Sequence, residues 1–222
     1  MAAPHELWPF TKRAAIFDFD GTLAYTAHIW QEVDRTFLSK RGLPYPTGYG
    51  EQLAGLGFAK GAQYTIDLFG LDETVEDICE EWNQMGHEMY RRDVVLRDGA
   101  ARYIQALRSA GIPCALATTN DARVVSSMRN FDPNEYFDAC VYGAEVEKGK
   151  DEPDIFVEAA RRLDVKTSEC LVFEDIVMAI NSAKSVGMLT CGVHSNDPLQ
   201  SVVQLHAAAD LWLDDWRDIE LS

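Results

Sequence analysis

The stretch Ile16–Thr26, IFDFDGTLAYT, sets two aspartates, Asp18 and Asp20, beside a glycine and two threonines directly after the apolar run Ala14–Phe17. Carboxylates crowded at the end of an apolar run either repel one another or hold something positive. The run is too short for periodicity to separate a buried strand from a fragment of helix. Its reading therefore depends on what surrounds it.

Similar runs recur at Cys114–Ala117, Ala139–Tyr142, Cys170–Phe173, Leu189–Val193 and, more weakly, Leu211–Leu213. Between them the apolar spacing becomes helical. One face is marked by Ala101, Ile104 and Leu107, and a second by Val124, Val125 and Met128. Phe156, Val157, Ala160 and Leu163 mark a third, and Ile176, Ile180, Ala183 and Val186 a fourth. Strand alternating with helix predicts an α/β fold with a parallel sheet covered on both faces.

Residues 24–96 break that rhythm, because no strand pattern follows the first run until the helix that begins near Asp98–Gly99. Trp30, Val33, Phe37 and Leu38 predict one amphipathic helix, and Val75, Ile78, Trp82, Met85 and Met89 another. The second stripe reads as the core of a helical insert rather than as a ligand site. The Gly/Pro-rich GLPYPTGYGEQLAGLG, residues 42–57, reads as a loop within it.

The chain has 222 residues, 47% apolar and 25% charged, with a formal net charge of −16. Such a balance suits a folded domain with a real core. It repels nucleic acid and anionic membranes in the absence of a basic cluster, and no Lys/Arg block is present. A small phosphorylated metabolite is not excluded, since one metal ion or lysine dominates the field at close range. Five cysteines without CxxC spacing read as reduced thiols, mostly buried, and no segment has the apolar length of a signal peptide or a membrane span. The expected compartment is the cytoplasm.

In an open parallel sheet, ligands bind outside the carboxyl ends of the strands where strand order reverses. The residues that follow each run are then Asp18 and Asp20, Thr118–Thr119–Asn120, Lys150 and Glu174–Asp175. Hard oxygen ligands with a hydroxyl and an ammonium opposite fit phosphoryl transfer through a cation of the Mg²⁺ type. Each member also has an ordinary reading. DxDG is a fragment of a calcium loop, although the glutamate that closes an EF-hand loop is missing. Thr118 could cap a helix, Glu174–Asp175 could be helix-start carboxylates, and Lys150 could be solvated.

Taken together and in order, DFDGT at 18–22, Thr118, Lys150 in GKDEPD, and Glu174–Asp175 in VFEDI resemble the four motifs of the haloacid dehalogenase-like superfamily. Lys148 is a rival for Lys150, but the Pro153–Phe156 segment that follows fixes the motif on Lys150. The resemblance covers nearly the whole chain. It implies a Rossmann-like three-layer core, residues 1–23 and 97–222, with a small α-helical cap, residues 24–96, as in the β-phosphoglucomutase-like branch. It further implies that Asp18 is the nucleophile and Asp20 the acid/base, and that Thr118, Thr119 and Lys150 bind the phosphoryl group. Mg²⁺ would be held by Asp18, the Asp20 carbonyl and Asp175, with Glu174 nearby.

The chain departs from the branch at its cap. Tyr25 stands where many relatives have an aspartate, Trp30 where the mutase has a histidine, and Phe58 where it has a phosphate-gripping arginine. Lys60 lies close to that last position and is the candidate specificity residue, on a Leu56–Lys60 loop expected to face the site. Asp20 argues against halide displacement, and neither Lys40 nor Lys60 is marked as a Schiff-base lysine. The expectation is a Mg²⁺-dependent phosphatase of a small phosphorylated metabolite, such as a sugar phosphate, through an aspartyl-phosphate. The alternatives are a sugar phosphomutase and a non-catalytic phosphometabolite sensor.

Overall fold

The computed structural model describes residues 5–53 and 56–221. Six strands, β1 (Ala14–Phe17), β2 (Cys114–Thr118), β3 (Ala139–Tyr142), β4 (Cys170–Glu174), β5 (Leu189–Val193) and β6 (Leu211–Leu213), form one sheet in the order β3-β2-β1-β4-β5-β6. Every pairing is parallel. The strands β2 and β4 run one residue past their apolar stretches, so Thr118 and Glu174 are themselves strand residues.

All four residues of β1 are buried, which is why its sequence shows no polar alternation. Successive side chains still point to opposite faces. Ala15 and Phe17 enter a cluster with Tyr103, Phe173 and Trp216, whereas Ala14 and Ile16 pack with Ile155, Phe156 and Ala159. The chain lays β1, β2 and β3 outward in one direction, then returns to place β4 on the other side of β1. Strand order therefore reverses between β1 and β4, and a crevice opens above their carboxyl ends.

The insert that follows β1 holds four helices: α1 (Ala27–Lys40), α2 (Tyr49–Leu53), α3 (Phe58–Phe69) and α4 (Val75–Asp93). They share a core of Val33, Phe37, Leu38, Tyr49, Ala62, Ile78 and Trp82. The start of α4 is set by a capping box, with Thr74 Oγ1 accepting from Asp77 N at 3.1 Å and Asp77 Oδ2 accepting from Thr74 N at 3.1 Å. The 42–57 stretch is not wholly loop, since α2 interrupts it; Ala54 and Gly55 lie outside the described residues. The chain enters and leaves this helical insert side by side, through an antiparallel bridge between Ala24 and Leu96.

The remaining helices are α5 (Ala100–Ser109), α6 (Ala122–Val125), α7 (Pro133–Tyr136), α8 (Asp154–Arg162), α9 (Val177–Ser185) and α10 (Val202–Ala208). The helix expected through Met128 stops at Val125. There the Ser127 hydroxyl donates back to the Val124 carbonyl at 2.6 Å, a side-chain bond that competes with helical pairing. All five cysteines are free thiols, three of them buried and Cys79 and Cys140 partly exposed. Among the described residues no helix is long and apolar enough to cross a membrane.

Candidate active site

Asp18 follows β1 directly, and its backbone N–H donates to Phe173 O on β4 at 3.0 Å. That pairing sets Asp18 level with Glu174 and Asp175. Donor oxygens of the three buried carboxylates lie within 4.8 Å of one another. Lys150 is 1% exposed and donates to both Asp18 Oδ1 and Glu174 Oε1. Lys148 instead faces solvent opposite Glu152.

Charge does not balance here, because one ammonium serves three carboxylates. Burial pushes the Asp18 carboxyl up to about 7 against the pull of Lys150, with Glu174 and Asp20 raising it further. Asp175 is driven well above the usual carboxylate range by burial, then by Glu174 and Asp18. Burial works against the Lys150 charge, but Asp18 and Glu174 more than compensate and hold its pKa above the ordinary lysine value.

Asp18 Oδ2 and Asp175 Oδ1 are buried with no hydrogen-bond partner among the described residues. Glu174 differs, since its Oε1 takes Lys150 and its Oε2 accepts from Asp175 N at 2.9 Å and Ile176 N at 3.1 Å. Two orphaned carboxylate oxygens in an oxygen-only cluster fit a hard divalent cation. Gly21 shapes the same cradle: at φ +84°, a Cβ there would fall 2.0 Å from Asp175 Oδ2. The Gly21–Thr22 turn is braced from below by buried Arg97, whose Nη1 donates to Gly21 O at 2.9 Å, and by Trp216 Nε1, which donates to Thr22 O at 3.0 Å.

Asp20 has separate surroundings. Its Oδ1 accepts from Trp30 Nε1 of α1 at 2.9 Å and from the Tyr90 hydroxyl of α4, and its Oδ2 accepts from Asn120 Nδ2 at 3.1 Å. Asn120 Nδ2 also reaches the Tyr90 oxygen at 2.9 Å. Two helices of the insert and the loop after β2 thus converge on one carboxylate. Thr118 is buried at the tip of β2, its hydroxyl accepting from Asn120 N at 3.2 Å. Thr119 is pinned by the close approach of Gly143, where a Cβ would lie 2.5 Å from the Thr119 carbonyl oxygen.

A cavity of about 190 Å³ runs from Asp20, Asp175 and Thr119 into the insert, walled by Trp30, Phe58 and Trp82. Gly57 and Phe58 line it, as a site-facing loop requires. Lys60 does not; its Nζ pairs with Asp151 at 3.1 Å, with both partners partly exposed. Among the described residues no Lys, Arg or His lines the cavity. The sequence marks Trp30 as a departure from the branch and Asn120 as a strand-end residue, but nothing in it marks Tyr90 or the convergence of all three on Asp20.

Residues 15–193 match the family of haloacid dehalogenase-like hydrolases. The chain belongs to that family. It is similar to the phosphorylated carbohydrates phosphatase of Thermotoga maritima, 26% identical over 199 residues that cover 88% of this chain and 92% of the relative. It is also similar to the β-phosphoglucomutase of Bacillus subtilis, 28% identical over 205 residues, 84% of this chain and 85% of the mutase. Among solved structures, a hydrolase from Pseudomonas syringae superposes with a TM-score of 0.80 at 21% identity, over 94% of this chain and 95% of the other, and shares the fold.

Proposed function

We propose that this hydrolase is a Mg²⁺-dependent phosphatase of small phosphorylated metabolites, working through an aspartyl-phosphate on Asp18. The observation that carries the reading is the contrast between the two aspartates. One oxygen of Asp18 is held by Lys150 and the other is unpartnered, while Asp20 is bound into a separate network at the cavity edge.

In the first half-reaction Asp18 attacks phosphorus and the P–O bond to the leaving alcohol breaks, with Asp20 delivering the proton that the alkoxide needs. Thr118, Thr119 and Lys150 hold the phosphoryl oxygens as charge redistributes. In the second, Asp20 takes a proton from water, which attacks the acyl phosphate, frees inorganic phosphate and restores the Asp18 carboxylate. Mg²⁺ held by Asp18, the Asp20 carbonyl and Asp175 would supply the positive charge that keeps these buried acids ionised and screens the phosphate from them. Glu174, with both oxygens already engaged, orients Lys150 and the Asp175 backbone. Residues 24–96 act as a cap that excludes water over the core formed by 1–23 and 97–222.

A mutase must also grip a second phosphate, and the absence of any cationic side chain along the cavity, among the described residues, favours hydrolysis. The test is phosphate release with Mg²⁺ from a panel of sugar and other organic monophosphates. Release by wild type and its loss in Asp18→Asn is the expected result. Isomerisation of glucose 1-phosphate with a bisphosphate primer, without phosphate release, would replace this reading with the mutase one.

A further inference from the structure

The cavity that extends from the reacting acids into the insert has walls of unusual chemistry. The Trp30 and Phe58 rings stand at 87° with centroids 5.4 Å apart, and Phe58 and Trp82 at 71° and 6.1 Å. Three aromatic rings, with Phe58 edge-on to both tryptophans, thus border one space. Asp34 lines the same space, one helical turn beyond Trp30 on α1. It is only 9% exposed and makes no hydrogen bond or ion pair with any described residue.

A buried carboxylate without a partner is costly to keep ionised, and burial alone pushes Asp34 up to about 7. Its α1 neighbours Val33, Phe37 and Leu38 are buried apolar residues, so an apolar side chain would fit the position at lower cost. Asp197 is the other charged residue along this part of the cavity, and it too is a carboxylate. An anion such as a second phosphate would meet like charge here. An organic ammonium group would meet aromatic side chains, whose π-systems attract cations through the ring quadrupole, together with a counter-ion.

We propose that this cavity is a subsite for an ammonium group on the leaving alcohol, so that the preferred substrates are phosphomonoesters of amino-substituted alcohols or sugars. The ammonium sits within the Trp30–Phe58–Trp82 walls and Asp34 neutralises it. This rests on the phosphatase reading for the phosphate end, but the subsite itself is a matter of binding.

The test compares ω-aminoalkyl phosphates of graded chain length with ω-hydroxyalkyl phosphates of the same lengths, with p-nitrophenyl phosphate as a generic ester. At the length that spans the cavity, kcat/KM for the amine should exceed that of its hydroxyl partner by about tenfold or more, and Asp34→Asn should bring the ratio near unity. Because each ratio is internal to one protein preparation, partial loss of folded variant does not disturb it. Parity at every length in wild type, or a preference that survives Asp34→Asn, overturns the proposal. If no ester is hydrolysed, p-nitrophenyl phosphate included, the phosphatase reading fails. The same pairs titrated calorimetrically into wild type then decide the subsite alone: a Kd about tenfold tighter for the amine supports it, and equal affinity overturns it.

Discussion

Trp30 of the first insert helix donates its indole N–H to Asp20 Oδ1 at 2.9 Å, tying an element outside the sheet to the carboxylate two residues past Asp18. Trp30→Phe keeps an aromatic wall but removes that donor. A hydrogen bond to a charged group is worth about 1.5–3 kcal/mol, so kcat should fall about tenfold to hundredfold. KM should move less, since on the proposed mechanism the bond orients the group that transfers the proton. Steady-state kinetics on p-nitrophenyl phosphate separates the two parameters, and a change confined to KM would contradict the assignment.

Lys150 is the charge between Asp18 and Glu174. Lys150→Met would leave both carboxylates buried without it, a loss of about 3–5 kcal/mol for breaking a buried pair from one side. Denaturant unfolding at neutral pH should show that loss, together with abolished phosphate release. Stability equal to wild type would mean that the carboxylates find other partners.

Gly21→Ala forces a side chain onto a backbone with φ +84° and into Asp175. Wild type should gain melting temperature on adding Mg²⁺, as any ligand bound by the folded state stabilises it. In the variant that gain should shrink or vanish. An undiminished Mg²⁺ response would place the cation elsewhere.

Asp34 makes stability depend on pH. Its folded pKa of about 7 lies above the unfolded value of about 3.9, so the folded state binds the extra proton and stability falls as pH rises through that window. The full effect is at most on the order of 4 kcal/mol. Tyr45 and Tyr49 beside it are pushed upward by burial and stay neutral there, while burial raises Asp197 in the same sense as Asp34. Asp34→Asn should therefore be more stable than wild type at pH 8 and close to it at pH 4. Thermal melts across that range check the sign, and a gap independent of pH would refute it.

Lys60 reaches from α3 to Asp151, next to Lys150, as a partly exposed pair worth at most about 1 kcal/mol. Lys60→Ala should raise KM for charged and neutral esters alike by a small factor. A change in the order of preferred substrates would show that this lysine contacts the leaving group after all.

The central strand could be read because a parallel strand buried on both faces must be a continuous apolar run, and Ala14–Phe17, buried throughout, coincides with β1 to the residue. Asp18, Lys150, Glu174 and Asp175 could be read because strand ends gather at one edge. Asp34 is hidden by the pattern: the stripe Trp30, Val33, Phe37, Leu38 passes over it, and a carboxylate in the i+4 slot of a buried face looks like a gap in periodicity. Asn120 belongs to the strand-end set, but its meeting with Tyr90 at Asp20 could not be read, because it depends on how the insert lies on the sheet and not on local sequence.

The Ala24–Leu96 bridge sets the insert's two chain connections side by side, the arrangement of a hinge. Trp30 and Tyr90 lie beyond that hinge, Asn120 on the near side. A swing wide enough to admit an ester would carry two of the three donors away from Asp20. If Asp20 is the acid/base proposed above, it is fully oriented only when the door is shut, and an open active site would also be an idle one.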